Sequence, residues 1–166
     1  MRKVLLLSDS HGYIDQKILK YVDEVDEVWH AGDIGHIKVS QSILKLKPLK
    51  AVYGNIDDIK IREKFEEDLT FCCEGLKIYM THIGGYPGNY NRRAKKIIEA
   101  FKPNIFICGH SHILKIINDK NNSLLHMNPG ACGIQGFHKK RTMIKFNIEN
   151  LKVKSVNIIE LSNKII

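Results

Sequence analysis

Five short segments of the sequence place a side chain that can bind a metal ion beside a glycine or another small residue. They are Asp9-Ser10-His11-Gly12, Gly32-Asp33, Gly54-Asn55, Thr81-His82 and Gly109-His110-Ser111-His112. Carboxylate, imidazole and amide groups together suit manganese, iron, zinc or nickel better than calcium or a thiolate-bound metal. Each segment alone is a weak signal, but the five together predict a metal-dependent hydrolytic site.

The spacing within these segments indicates a pair of ions. Asp9 and His11 are separated by one residue, so both can reach the same ion from an irregular loop, and His110 and His112 repeat that spacing. Asp33 has two carboxylate oxygens, which can bridge two ions at roughly 3.5–4 Å, the usual separation in two-metal hydrolases. The neighbouring glycines allow sharp turns and a close approach of substrate.

Each segment follows a predicted strand. In sheets with helical crossovers, ligands gather at the carboxyl ends of the strands, so the five segments are expected to converge. The preceding apolar runs predict strands at residues 3–7, 27–30, 51–53, 77–81 and 105–108.

The rest of the chain supplies helices and further strands. Apolar residues recur at helical spacing in residues 14–22, 39–46 and 94–101, and residues 69–81 predict a hairpin. After residue 108 the pattern is mostly that of strands, ending near residues 156–161. The expected fold is a layered α/β sheet core with helices outside, formed by residues 1–166 as one domain.

Composition limits the partners. No apolar stretch approaches the roughly 20 residues of a membrane span, so a cytoplasmic protein without membrane contact is expected. The net charge is +8, but the lysines are spread along the chain, and a nucleic-acid polymer is therefore not an expected partner. The four cysteines form no CxxC motif.

The five segments, taken in order, resemble the calcineurin-like metallophosphoesterase superfamily, whose motifs run D-x-H, G-D, G-N-x, H and G-H-x-H. The chain is particularly similar to the small YfcE/MJ0936-type phosphodiesterases, and Asn128-Pro129-Gly130 matches their N-P-G motif. This resemblance implies a four-layer metallophosphoesterase β-sandwich flanked by helices, with two divalent metal ions at one end. Manganese is the favoured metal, with nickel, iron, zinc and magnesium as alternatives.

The resemblance also implies a ligand set and a mechanism. A metal-bound hydroxide is expected to attack phosphorus in line and cleave a phosphodiester of a small substrate. Asp33, Asn55 and His112 are expected to take part directly in catalysis. One ion would be held by Asp9, His11, Asp33 and His112, and the other by Asp33, Asn55, His82 and His110.

The sequence departs from the family pattern at two motifs. Larger relatives have a histidine after the G-N pair, where this chain has Ile56, so protonation of the leaving group is unassigned. Asp57 is interpreted either as a residue that orients a ligand or as a solvated turn carboxylate. The fourth motif lacks its second histidine. Residues 84–90, which follow, form either a flexible turn that leads into the next helix or room for a substrate that Tyr90, Arg92 or Arg93 contacts.

Four histidines remain outside the motifs. His30 and His36 flank the Gly32-Asp33 segment, and His126 is expected to be structural. His138 lies either near the mouth of the site or, as the preferred interpretation, in an exposed charged turn.

Two alternatives to a phosphodiesterase stay open. One is a phosphomonoesterase acting on a small metabolite, because both reactions use the same electrostatics. The other is a non-catalytic interaction scaffold, as described for the retromer subunit Vps29. All seven ligand positions are present, and keeping such polar groups in a buried site without metal is costly, which favours an enzyme. A homo-oligomer is left open.

Overall fold

A computed structural model of the chain describes residues 1–163, which form twelve strands and four helices. In chain order these are β1 (Arg2–Leu7), α1 (Gln16–Asp23), β2 (Glu27–His30), α2 (Ile37–Leu44), β3 (Leu49–Ala51), α3 (Ile59–Arg62), β4 (Asp68–Cys73), β5 (Leu76–Thr81), β6 (Gly85–Tyr86), β7 (Asn89–Tyr90), α4 (Arg92–Phe101), β8 (Ile105–Ile107), β9 (Leu114–Asp119), β10 (Leu124–Pro129), β11 (Lys140–Glu149) and β12 (Lys152–Asn163).

The strands form two five-stranded sheets and one small hairpin. The first sheet has the order β12-β11-β1-β2-β3, in which β1, β2 and β3 run parallel. The second has the order β4-β5-β8-β10-β9, in which β5, β8 and β10 run parallel. Strands β6 and β7 pair with each other. Each sheet therefore has a parallel centre whose strand ends can carry a site.

Strand β1 shows how the layers are built. Its residues alternate, so that Val4 and Leu6 face the second sheet, whereas Leu5 and Leu7 face helices α1 and α2. Trp29 also lies between the sheets and packs edge-on against Phe146. The first sheet is therefore apolar on both faces. Burial of the face toward the second sheet provides the main driving force for stacking the two sheets.

Helix α4 covers the other side of the second sheet. Its residues Ala94 and Ile98 pack on Tyr79 and Phe106, which stack on each other. Asn91 caps the helix by accepting a hydrogen bond from the N–H of Ala94 at 2.7 Å. The order of layers is helix, sheet, sheet, helix, and the predicted four-layer α/β sandwich is confirmed.

Most element ends differ from the predictions by a few residues, and three local differences have a clear reason. The third strand ends at Ala51 instead of continuing to Tyr53, since Val52 forms an isolated bridge with Glu66 and the N–H of Tyr53 donates to the carbonyl of Glu66 at 3.0 Å. Helix α3 was not predicted, since four residues are too few to show a period. Residues 84–90, for which a flexible turn was one interpretation, contain the β6–β7 hairpin.

Within residues 1–163 no helix is long and apolar enough to cross a membrane. That residues 1–166 form one domain stays a prediction, and residues 164–166 lie outside the part that the structure describes.

Candidate metal centre

The loops after β1 and β2 run side by side at one end of the first sheet. The N–H of Asp9 donates to the carbonyl of Gly32 at 3.0 Å, and the N–H of His11 donates to the carbonyl of Asp33 at 3.0 Å. Because β1 and β2 are adjacent parallel strands, their carboxyl ends bring these two loops together.

The loops after β5 and β8 join the same end from the second sheet. The N–H of Gly109 donates to the carbonyl of His82 at 2.9 Å. Two bonds then cross between the sheets: His82 Nδ1 lies 2.8 Å from the carbonyl of Ala31, and the N–H of His110 donates to Asp9 Oδ2 at 3.1 Å. The four loops therefore form one cluster, as the sequence predicts.

One group of candidate ligands comprises Asp9, His11 and His112, whose ligand atoms lie within 4.8 Å of one another. His112 Nε2 lies 3.2 Å from Asp9 Oδ1 and 3.3 Å from His11 Nε2. Asp9 is fully buried, and both histidines are partly buried.

A second group comprises Asp33, His82 and His110, again with ligand atoms within 4.8 Å of one another. His82 Nε2 lies 3.2 Å from Asp33 Oδ1, and His82 and His110 meet edge-on. Asp33 and His82 are buried, whereas His110 is exposed to solvent. The second group is thus open on one side.

The carboxylate of Asp33, a member of the second group, also faces the first group. Its Oδ2 is 3.7 Å from His11 Nε2 and its Oδ1 is 3.2 Å from His82 Nε2. Burial alone would raise the pKa of Asp33, but His82, the N–H of Ile56 and His11 outweigh it and lower that pKa. The carboxyl group is therefore ionised and faces one histidine of each group.

Two buried atoms at the centre of the cluster lack a hydrogen bond within the described residues, namely Asp9 Oδ1 and His82 Nε2. Leaving a polar atom buried and unpaired costs about 1–3 kcal/mol, and more for a charged group. A divalent cation accepts electron pairs from both kinds of atom, so the donor set fits such an ion.

Hydrogen bonds also fix which nitrogen of His82 can bind an ion. Its Nδ1 lies 2.8 Å from the carbonyl of Ala31, which can only accept, so Nδ1 carries a proton, and in the neutral ring Nε2 has the free electron pair. Burial alone would lower the pKa of His82, but the nearby carboxylates of Asp33 and Asp9 outweigh burial, so the pKa of His82 is raised.

A similar chain of bonds reaches His112. His138 Nε2 lies 3.0 Å from the carbonyl of Gly133, and His138 Nδ1 lies 3.2 Å from His112 Nδ1. If His138 donates to Gly133, it accepts from His112 Nδ1, which leaves His112 Nε2 free to bind an ion. The preferred sequence interpretation of His138 as an exposed turn residue is wrong, because the side chain is partly buried against His112.

Asp57 ties two of the loops together. It is 3% exposed and accepts hydrogen bonds from the N–H groups of Ile34 at 3.1 Å, Gly35 at 2.6 Å and Gly54 at 2.8 Å. The interpretation as a solvated turn carboxylate is therefore wrong. Its carboxylate holds the loop of Asp33 against the loop of Asn55.

Asn55 is exposed and lines a cavity of about 200 Å³ that also touches His82. Arg62 fixes this loop, since its guanidinium donates to the backbone carbonyls of Asn55 at 3.2 Å and Asp57 at 2.7 Å. Arg93 lines the same cavity but is paired with Glu67 and Asp68. The predicted ligand Asn55 thus lies beside the second group.

The sequence pattern assigns no role to His30, which the structure places beneath the site. His30 Nε2 lies 2.8 Å from Ser10 Oγ, and His30 Nδ1 accepts from the N–H of Gly32 at 3.2 Å. Burial lowers the pKa of His30 to about 3, so the ring is neutral. It joins the Asp9 and Asp33 loops, and only its position at a strand end could have indicated this.

The backbone is left-handed at five of the six residues in the two groups. Such conformations are uncommon for residues other than glycine and cost about 1–3 kcal/mol each, so they concentrate at functional sites. The five residues, with φ between 47° and 68°, are Asp9, His11, Asp33, His110 and His112.

Comparison with known proteins identifies relatives with this arrangement of elements. Residues 2–151 match the model of the calcineurin-like phosphoesterase superfamily domain. The chain is 30% identical over 118 residues to a probable metallophosphoesterase of Mycoplasma pneumoniae, which covers 68% of the chain and 69% of that relative.

Solved structures share the fold, and two of them illustrate the similarity to this chain. One is described as a novel archaeal phosphodiesterase, with a TM-score of 0.73 and 21% identity, covering 96% of this chain and 99% of that one. The other is Vps29 of Entamoeba histolytica complexed with Zn²⁺, with a TM-score of 0.73 and 18% identity, covering 96% of this chain and 98% of that one.

Proposed function

The chain belongs to the calcineurin-like phosphoesterase superfamily, and from this premise we propose that it hydrolyses phosphodiesters with the help of two divalent metal ions. The observation that carries the proposal is the pair of ligand groups, in which the Asp33 carboxylate of the second group also faces His11 of the first. Two unpaired buried ligand atoms at the same place support it, because a cation would satisfy both.

The residues divide between the two ions as follows. Asp9, His11 and His112 would hold one ion, while His82, His110 and Asn55 would hold the other, and Asp33 would contact both. When bound, the ions supply positive charge to the phosphoryl oxygens and acidify the attacking water.

The protein's own contribution is to hold these side chains in place. Asp57 fixes the Asp33 and Asn55 loops, and His30 fixes the Asp9 and Asp33 loops. His138 positions His112, so that the ligands are oriented before an ion or substrate arrives.

The leaving group receives no proton from a histidine at position 56, where the chain has an exposed isoleucine. Esters whose leaving group is already stable as an anion are therefore the best substrates. The choice of a diester is supported by the fold shared with the archaeal phosphodiesterase, and a phosphomonoesterase is the second candidate of this class.

A non-catalytic scaffold is the alternative from another class. The fold shared with Vps29 favours it. The two groups of ligand side chains and the left-handed backbone at five of these residues favour an enzyme, because strained backbone concentrates at functional sites.

The proposal is tested by stripping the protein of metal and adding Mn²⁺, Mg²⁺, Zn²⁺, Ni²⁺ or Fe²⁺ in turn. Hydrolysis of bis(p-nitrophenyl) phosphate and of p-nitrophenyl phosphate is then followed in parallel. We expect diester turnover with at least one metal, with Mn²⁺ as the best, and its loss on addition of a chelator.

Two histidine variants sharpen this test. His82→Ala removes a buried ligand and should abolish turnover, whereas His36→Ala removes a histidine that is exposed and lies outside both groups. His36 caps α2, so its loss costs some stability but no ligand. Absence of turnover on both esters with every metal, in a protein that binds two ions, would favour the scaffold.

A further inference from the structure

A cavity of about 380 Å³ opens directly beside the second ligand group. His110 and its neighbours Gly109 and Ser111 line it, so an occupant lies next to the candidate metal centre. The volume falls in the range of about 300–1,000 Å³ that is usual for small-molecule sites. One wall is the β6–β7 hairpin, which follows Gly84, the position of the second histidine in the family's fourth motif.

The walls of this cavity are aromatic and aliphatic. Tyr86 and Tyr90 come from the hairpin, and Ile83 and Ile113 face solvent at its rim. Tyr86 is 47% exposed and Ile113 is 59% exposed, so apolar surface beside the candidate metal centre is open to a ligand. Tyr90 is held rigidly, since its hydroxyl donates to Asp119 at 2.8 Å and its ring packs edge-on against Phe106.

The polar groups that line the cavity are neutral or positive. Lys115 places its ammonium 4.5 Å from the centre of the Tyr86 ring, at one side of the cavity. His126 is 1% exposed, and its Nδ1 has no hydrogen-bond partner within residues 1–163. No aspartate or glutamate is among the described residues that line the cavity, which suits an anionic ligand.

We propose that this cavity binds the nucleoside part of a phosphodiester, with its base against Tyr86 while the phosphate lies at the metal centre. The inference rests on the proposed function and names its substrate class. Aromatic side chains stack on the face of any base, and heterocycle edges can pair with polar groups such as His126 and Asn89. An aliphatic chain would fill the same volume but leave His126 Nδ1 without a partner, which is costly.

The test compares two diesters with the same leaving group, thymidine 5′-(p-nitrophenyl) phosphate and ethyl p-nitrophenyl phosphate, on the manganese-loaded protein. We expect kcat/KM for the thymidine ester to exceed that for the ethyl ester by about tenfold or more, the effect of stacking one base. Tyr86→Ala should remove most of this preference. Tyr86→Phe, which keeps the ring, should retain it.

A control variant removes an exposed aromatic ring that does not line the cavity. Phe137 is fully exposed near His138, and Phe137→Ala should leave the preference unchanged. A binding measurement independent of turnover is saturation-transfer NMR of thymidine 5′-monophosphate on the metal-free protein. Saturation of the base protons should be strong in the wild type and weak in Tyr86→Ala.

Each result decides one of the two proposals. Equal kcat/KM for the two esters, or a preference that survives Tyr86→Ala, overturns the nucleoside inference and leaves the phosphodiesterase intact. A third ester, octyl p-nitrophenyl phosphate, overturns it as well if it is preferred over the thymidine ester. If no ester is hydrolysed, the proposed function fails, and the NMR measurement alone decides whether the cavity binds a base.

Discussion

Replacing Asp57 by asparagine tests how the two metal-binding loops are held. The carboxylate accepts three backbone N–H groups: Oδ2 bonds Ile34 and Gly54, and Oδ1 bonds Gly35. Asparagine has the same shape but only one oxygen. It can keep the two bonds of Oδ2, now without the charge, but it places an NH₂ group against the N–H of Gly35.

The expected cost follows from these three bonds. Hydrogen bonds to a charged group contribute about 1.5–3 kcal/mol each, against about 1 kcal/mol for neutral ones. Losing one and weakening two predicts a loss of about 3 kcal/mol in the free energy of unfolding, which a domain with a stability of about 5–15 kcal/mol survives. Misplacing the Asp33 loop should also weaken manganese binding by about 10–100-fold, the usual effect of losing a group that orients ligands.

Asp58→Asn is the matched control. Asp58 is exposed and caps α3 by accepting from the N–H of Ile61 at 3.1 Å, a role that asparagine performs equally well. Urea unfolding measures stability, and isothermal titration calorimetry measures manganese affinity. If Asp57→Asn matches Asp58→Asn in both measurements, Asp57 does not organise the site.

Three further predictions concern neighbouring groups. His138→Ala should weaken manganese binding by about tenfold. His138→Gln should restore part of the affinity, because glutamine can accept a hydrogen bond from His112. Equal manganese affinities for the wild type and His138→Ala in calorimetry would contradict this. Gly54→Ala should lower both stability and metal occupancy, because the added methyl would overlap Asp33 Oδ1. Urea unfolding measures the stability, and metal analysis of the dialysed protein measures the occupancy. A variant with the metal occupancy of the wild type would refute this prediction. Burial lowers the pKa of His126 to about 4 from its usual 6.5, so between these values the unfolded chain binds a proton that the folded chain does not, and stability falls as the pH falls. This group alone accounts for about 2 kcal/mol of lost stability between pH 7 and pH 5 in urea unfolding of the metal-free protein, a loss that His126→Leu should lack.

The clustering of the candidate ligands could be predicted from the sequence because it depends on residue types at strand ends. Strand β2 occupies the predicted residues 27–30, and the loops that follow β1, β2, β5 and β8 converge as expected from the rule for parallel strands. The layered fold followed from apolar runs that alternate with helical periodicity.

The supporting contacts could not be predicted in the same way. Asp57 and Gly35 are 22 residues apart, His112 and His138 are 26 apart, and no local pattern links such pairs. The hairpin at residues 85–90 has strands of two residues, too short to show a period, so the wall of the cavity was also hidden. Local patterns specify elements, whereas the groups that orient ligands depend on tertiary packing.

The most direct test of the two-ion site is anomalous X-ray diffraction from crystals of the wild-type protein grown with Mn²⁺. We expect two peaks about 3.5–4 Å apart with the Asp33 carboxylate between them. One peak should contact Asp9, His11 and His112, and the other should contact His82 and His110. A single peak, or manganese bound only elsewhere on the protein, would contradict the two-ion site.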